Sequence, residues 1–247
     1  MIVIVMVIVI VMVPRDAGAD GGTLPAGHGA VSLTLQTGLS KGHAGDPLSL
    51  APDAWVGLTD RLQVGMVTSL QGRTGFWTGA LRGTSGSGVC LSGQPTNDDL
   101  VGCNDLAESG GAEAAYAWRN LVFFLGYYVF ESHPYSYQGK LGIRKRERWE
   151  HVSLGLGATM MIGSDAHFFY PIEVGWNLGD RAVLAVQSGF QTFGKDNNAV
   201  PVALGAIVML SPAWVVAASF SFDRVAGWEG PGAFDRRSAS LMVGTML

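Results

Sequence analysis

HVSLGLGATMMIG, residues 151–163, alternates with a period of two. From Glu150 to Ile162 the even positions are Glu150, Val152, Leu154, Leu156, Ala158, Met160 and Ile162. The odd positions from Trp149 to Gly163 are Trp149, His151, Ser153, Gly155, Gly157, Thr159, Met161 and Gly163. One face is apolar and the other is small or polar. A helix groups residues three and four apart, so it cannot sort side chains this way; a strand does.

The same pattern recurs along the chain. Val31, Leu33, Leu35 and Leu39 oppose Ser32, Thr34, Gln36 and Gly38. Leu62, Val64, Met66 and Leu70 oppose Arg61, Gln63, Gly65, Ser69 and Gln71. Tyr137, Leu141 and Ile143 oppose Gln138, Lys140, Gly142 and Arg144, and Leu241, Val243 and Leu247 oppose Ser238, Ser240 and Gly244. Twelve strands are predicted, near 29–39, 50–58, 61–71, 109–118, 120–131, 135–145, 149–163, 166–178, 181–193, 198–210, 213–225 and 236–247. Tight turns are expected at Thr59-Asp60, Arg119-Asn120, Arg146 to Arg148, Gly179-Asp180 and Ser211-Pro212, alternating with connections that are mostly longer. Strand 120–131 is apolar on both faces, which leaves its register open. Pro171 and Pro201 fall inside strands, where each removes a ladder donor, so bulges are expected there.

Composition narrows the class. The chain has 247 residues, 48% aliphatic or aromatic, only 15% charged, with 35 glycines. Beyond the N-terminus no apolar run reaches the ~20 residues of a membrane helix. A hydrophobic chain without helical spans is either a large buried β protein or a set of strands facing lipid. A net charge of −4 and one short basic run argue against nucleic acid. The opening MIVIVMVIVIVMV is too short to span a bilayer and fits the apolar region of an export signal. Ala17-Gly18-Ala19 supplies a small-x-small cleavage pattern, although no basic leader precedes it. Residues 1–19 are therefore expected to be an export signal, 20–28 a short linker and 29–247 one barrel domain. Cys90 and Cys103 bound a polar stretch, and in an exported protein such a pair is expected to form a disulfide. For that loop length the cross-link would contribute on the order of 3 kcal/mol.

The aromatic residues are sorted by height. Trp118, Trp149, Trp176 and Trp214, like Trp55, lie near expected tight turns. Tyr137, Tyr170, Phe220 and Phe222, with Phe130, Tyr135, Phe168 and Phe190, lie toward the other strand ends. Two aromatic belts match two membrane interfaces. With short turns, longer loops and an even strand count, nearly the whole mature chain resembles bacterial outer-membrane β-barrels. The resemblance implies an all-β, transmembrane antiparallel barrel of about twelve strands, contacts with outer-membrane lipid, and both termini in the periplasm. It also implies recognition of the final strand by the barrel-assembly machinery. Leu241, Val243, Thr245 and Leu247 supply the alternation, but the last residue is Leu rather than an aromatic.

His151-Val152-Ser153 has the spacing of outer-membrane phospholipases and lipid A deacylases, whose Ser follows a His by two positions. Residues i and i+2 of a strand share a face, so a base could meet a nucleophile. Here Leu-Gly follows the serine where that family has Asn. The pair also sits on the polar, inward face, beside a tight turn. The inward set by parity contains Arg61, Gln63, Glu113, Arg119, Lys140, Arg144, His151, Ser153, Glu173, Arg181 and Gln187, with Gln138 and Gln191. Such residues either line a weakly anion-preferring pore or pair with one another and plug it. Inward Gly and Ala residues (Gly65, Ala115, Gly142, Gly155, Gly157, Gly175, Ala185, Gly189 and Gly205) tilt the expectation toward open space. Arg144 to Arg148 reads as a solvated turn, and Asp98, Asp99, Asp105 and Glu108 as an acidic loop without calcium spacing. No cofactor, metal or nucleic-acid partner is indicated. The expected function is a narrow channel for small polar or anionic solutes. A non-conducting barrel whose loops bind a partner or surface polymer comes second, and a lipid hydrolase third.

Overall fold

The structure, a computed structural model, describes residues 23–39, 48–67, 89–92, 109–130, 136–163, 167–179, 181–193, 197–227 and 237–247. The period-two segments become strands β1 (Gly29–Gly38), β2 (Leu48–Thr59), β3 (Leu62–Val67), β4 (Val89–Ser92), β5 (Ser109–Trp118) and β6 (Leu121–Phe130). They continue as β7 (Ser136–Arg148), β8 (Val152–Ile162), β9 (His167–Leu178), β10 (Ala182–Phe193), β11 (Asn197–Ser211), β12 (Trp214–Gly227) and β13 (Arg237–Met246). Every pairing is antiparallel between ring neighbours, and β1 pairs with both β2 and β13. Twelve strands thus close into a barrel. At the seam, Gly29 and Leu247 exchange backbone hydrogen bonds of 3.1 and 2.9 Å. The short β4 was not expected. Among the described residues it pairs with Leu48–Leu50, while the partners of β3 on β2 are Ala54–Thr59.

Polarity is inverted relative to a water-soluble core. Among the described residues, twenty-six large apolar or aromatic side chains are exposed, including Leu33, Met66, Leu125, Leu156, Leu204 and Leu210. The buried set includes Gln36, Glu113, Lys140, Glu173, Gln187 and the serines of β12 and β13. Removing a Leu or Phe from water is worth ~1.5–3 kcal/mol. Leaving so many wet would exceed the ~5–15 kcal/mol by which a folded chain is stable. A lipid surround removes the conflict, and closure satisfies every strand edge that lipid could not.

One tight turn lies elsewhere than expected. Strand β7 runs through Arg146 and Glu147 to Arg148, and the chain reverses at 149–151. Trp149 N–H donates to the Val152 carbonyl at 2.7 Å, and the Asn177 amide donates to the Glu150 carbonyl at 3.1 Å. Asn177, from β9, therefore holds a turn that lacks Gly, Pro or Asn of its own. The register of β6 is now fixed: Val122, Phe124 and Gly126 are buried inside, while Phe123, Leu125 and Tyr127 are exposed outside. At Pro201 the β11–β12 register shifts between Val200 and Val202. Beside Pro171 the β8–β9 pairing lapses between Leu156↔Ile172 and Thr159↔Phe169.

The export segment, Cys103 and the acidic residues Asp98, Asp99, Asp105 and Glu108 lie outside the described residues, as do the side chains of Cys90, Tyr137 and Gln138. Trp118, Trp149, Trp176 and Trp214 are exposed at the tight-turn end. Tyr170 is exposed toward the other end, and Phe220 meets Phe222 edge-to-face at 5.0 Å on the outer side. Trp55 departs from the belt. It turns inward and packs against Val67.

Candidate functional site

The inner wall is the candidate site. Gln63, Glu113, Lys140, Ser153, Glu173 and Gln187 are buried there, and Arg144 lies on the same face of β7 as Lys140. Arg61, Arg119, Arg181 and His151 are not in the wall. Each sits in or at the edge of a tight turn and is exposed: Arg61, His151 and Arg181 because their strands begin one to three residues later than expected, and Arg119 because it lies in the expected turn Arg119-Asn120 rather than in a strand. Arg119 has a φ of +54° and stacks on Trp118 at 5.0 Å. The run read as a solvated turn instead alternates as a strand. Arg144 and Arg146 face in, while Lys145 pairs outside with Glu147 at 2.6 Å.

Two ion pairs organise this wall, and glycine makes both possible. Lys140 is the register partner of Gly126, and Gly126 of Glu113. With no side chain on the middle strand, Lys140 Nζ reaches Glu113 Oε2 at 2.6 Å. Arg146 is likewise partnered with Gly155, and Gly155 with Glu173. The Arg146 guanidinium donates across that glycine to Glu173. Arg144 lies between and interacts electrostatically with both carboxylates. Burying a charge is tolerated only with such partners.

Four further inward glycines are also occupied. Trp55 lies over Gly65, Phe124 over Gly142, and Phe169 over Gly189, so that a Cβ at any of the three would strike a ring. Ser153 Oγ stands 2.6 Å from where a Gly175 Cβ would be. These glycines therefore hold side chains that lie down on them instead of leaving a void. Lys140, Ser153, Glu173 and Gln187 are each only 1% exposed. Across the ring, on β11 to β13, the described inward residues are uncharged. Ser219 bonds Ser240 and Ser221 bonds Ser238, both at 2.6 Å, and Ile207, Val215, Ala217 and Met242 form an apolar cluster.

A further element was not legible in the sequence. Residues 23–27, expected as linker, curl against the inner wall at the tight-turn end. Leu24 N–H donates to Gln63 Oε1 at 2.8 Å, and Ala26 N–H to Asp60 Oδ1 at 3.1 Å. Gly57 makes room, since a Cβ there would run into the Leu24 and Pro25 carbonyls. By contrast, a hollow of about 810 Å³ lies over Ala54, Ala112 and Ala114, between Met66, Leu125 and Tyr127. Those residues face outward, so it belongs to the lipid side.

His151 and Ser153 do not form a nucleophile–base pair. The His151 side chain is 79% exposed with Glu150 at 3.7 Å, whereas Ser153 is buried in β8. Ser153 Oγ has no hydrogen-bond partner among the described residues.

A closed twelve-strand wall, apolar outside and charged inside, defines a membrane-spanning β-barrel of porin-like fold. The solved structure of an outer membrane channel from Pseudomonas putida F1 is similar, with a TM-score of 0.54 at 14% identity, covering 96% of this chain and 100% of that one. The KdgM porin matches with a TM-score of 0.50 at 7% identity, covering 87% and 98%. At these identities the likeness is one of fold. No protein-family model and no curated sequence matches the chain.

Proposed function

We propose that the barrel is a narrow channel for small polar solutes with a preference for anions, set in the bacterial outer membrane with its tight turns toward the periplasm. The observation that carries this reading is the charge count on one wall. Lys140, Arg144, Arg146 and Arg148 share the inward face of β7 and stand against Glu113 and Glu173 on β5 and β9, leaving two positive charges in excess among the described residues. Asp53 also faces inward, but from β2. Counting it still leaves one positive charge in excess among the described residues. Rings of basic residues favour anions.

Planar-bilayer recording under a salt gradient tests the proposal. Discrete current steps with an anion-selective reversal potential are expected, and Arg144→Glu should move that potential toward cation preference. No current above background at any voltage would sink the channel. The deep burial of Lys140, Glu173 and Gln187 favours a second reading, a closed barrel whose external loops bind a partner or surface polymer. Hydrolysis comes third: Ser153→Ala should leave any phospholipase activity unchanged.

A further inference from the structure

We infer that Trp55, Val67 and Met161 form an apolar bridge across the interior that sets the size limit for what passes. This rests on the channel reading. Val67 is 1% exposed, and both Trp55 and Met161 pack against it. Trp55 is a ladder neighbour, since its register partner Gly65 lies on the same strand as Val67. Met161 is not. Strands β5, β6 and β7 stand between β3 and β8 in the ring. Four interstrand steps separate the two by about 19 Å along the wall. Their contact is therefore a chord through the interior.

The arc beneath that chord carries the first ion pair. Met161 is the register partner of Lys140, Lys140 of Gly126, Gly126 of Glu113, and Glu113 of Gly65 beside Trp55. The bridge spans this row, and the pair has side-chain exposures of only 0% and 5%. Phe124 closes another side, 5.0 Å from Lys140 Nζ. An apolar constriction excludes water when narrow and opens when a side chain swings. Methionine suits that role because its unbranched thioether adopts many shapes at low cost. The charges below it choose by sign; the bridge chooses by width.

The test uses the full refolded chain. Val67→Ala combined with Met161→Ala should raise single-channel conductance several-fold and admit larger solutes. Met161→Trp should lower conductance. Met209→Ala, which removes an inward methionine near the tight turns, should leave both unchanged. A second readout needs no current. A thiol placed by Ala115→Cys, in a chain also carrying Cys90→Ser and Cys103→Ser, is labelled by a water-soluble maleimide added from the loop side. Labelling should accelerate several-fold in the bridge double variant. Heat-modifiable gel mobility confirms that each variant is folded. If the wild type carries no current but the double variant labels faster, the channel reading fails and the bridge stands. Unchanged labelling and unchanged conductance in folded double variants would overturn the bridge.

Discussion

Glycine at the inner wall serves two different purposes, and substitution separates them. At Gly142 an added methyl meets the Ala158 carbonyl at 2.8 Å and, closer still, the Phe124 ring, which can rotate away. At Gly57 it meets backbone carbonyls of the segment 23–27, which cannot. Gly57→Val is therefore expected to cost about 1–3 kcal/mol, as overpacking does, and to make that segment sensitive to protease, whereas Gly142→Ala should cost less and leave the segment protected. Urea unfolding in detergent and limited proteolysis check both outcomes. Glu173→Ala should be harsher. It leaves the Arg146 charge buried without its carboxylate, a loss of about 3–5 kcal/mol in comparable cases. At this scale parity located Gln63, Glu113, Lys140, Arg144, Ser153, Glu173 and Gln187 on the inner face. It missed Arg146 because five consecutive charged residues look like a turn. The real turn, Trp149-Glu150-His151, carries no turn-forming residue and depends on Asn177 from another strand. A local reading of sequence has no access to that partner.

Strands β8 to β11 share a line of interrupted pairing that runs through Pro171, Gly189 and Pro201. Pro171 and Gly189 are register partners, and Gly189 adopts a φ of +158° while Pro201 lies at a register shift. Each proline withdraws a donor and interrupts the ladder around it, which leaves nearby carbonyls to find other partners. Ser188, on the same face as Leu184, Val186 and Phe190, gives its hydroxyl to the Pro201 carbonyl at 2.9 Å. A serine on the lipid side thus has a specific task. Ser188→Ala should cost about 1–3 kcal/mol, the penalty of a buried acceptor left alone, measured by urea unfolding in vesicles; no loss of stability would show that lipid or a shifted backbone satisfies the carbonyl. Bulges at the prolines were legible because proline chemistry is local. The serine's role was not, since it depends on which residue lies opposite across the ladder.

The barrel as a whole was the most legible feature, because alternation repeats twelve times and lipid enforces it on every strand. A refolded sample should migrate faster on a gel before boiling than after, and unchanged mobility would count heavily against a closed barrel. The interior was less legible: strand parity tells in from out, but it does not tell which inward residues meet across the space. The two glycine-bridged ion pairs have a consequence for how the wall is assembled. A one-residue slip of β7 would turn Lys140, Arg144 and Arg146 toward lipid, at about 2–4 kcal/mol for each base near the bilayer midplane. A two-residue slip against β6 keeps them inside but sets Phe124 or Tyr128, instead of Gly126, between Lys140 and Glu113. Only one zippering of these strands lets the ammonium reach its carboxylate. The charges therefore proofread strand pairing, and an error is rejected as an ion stranded without a counterion.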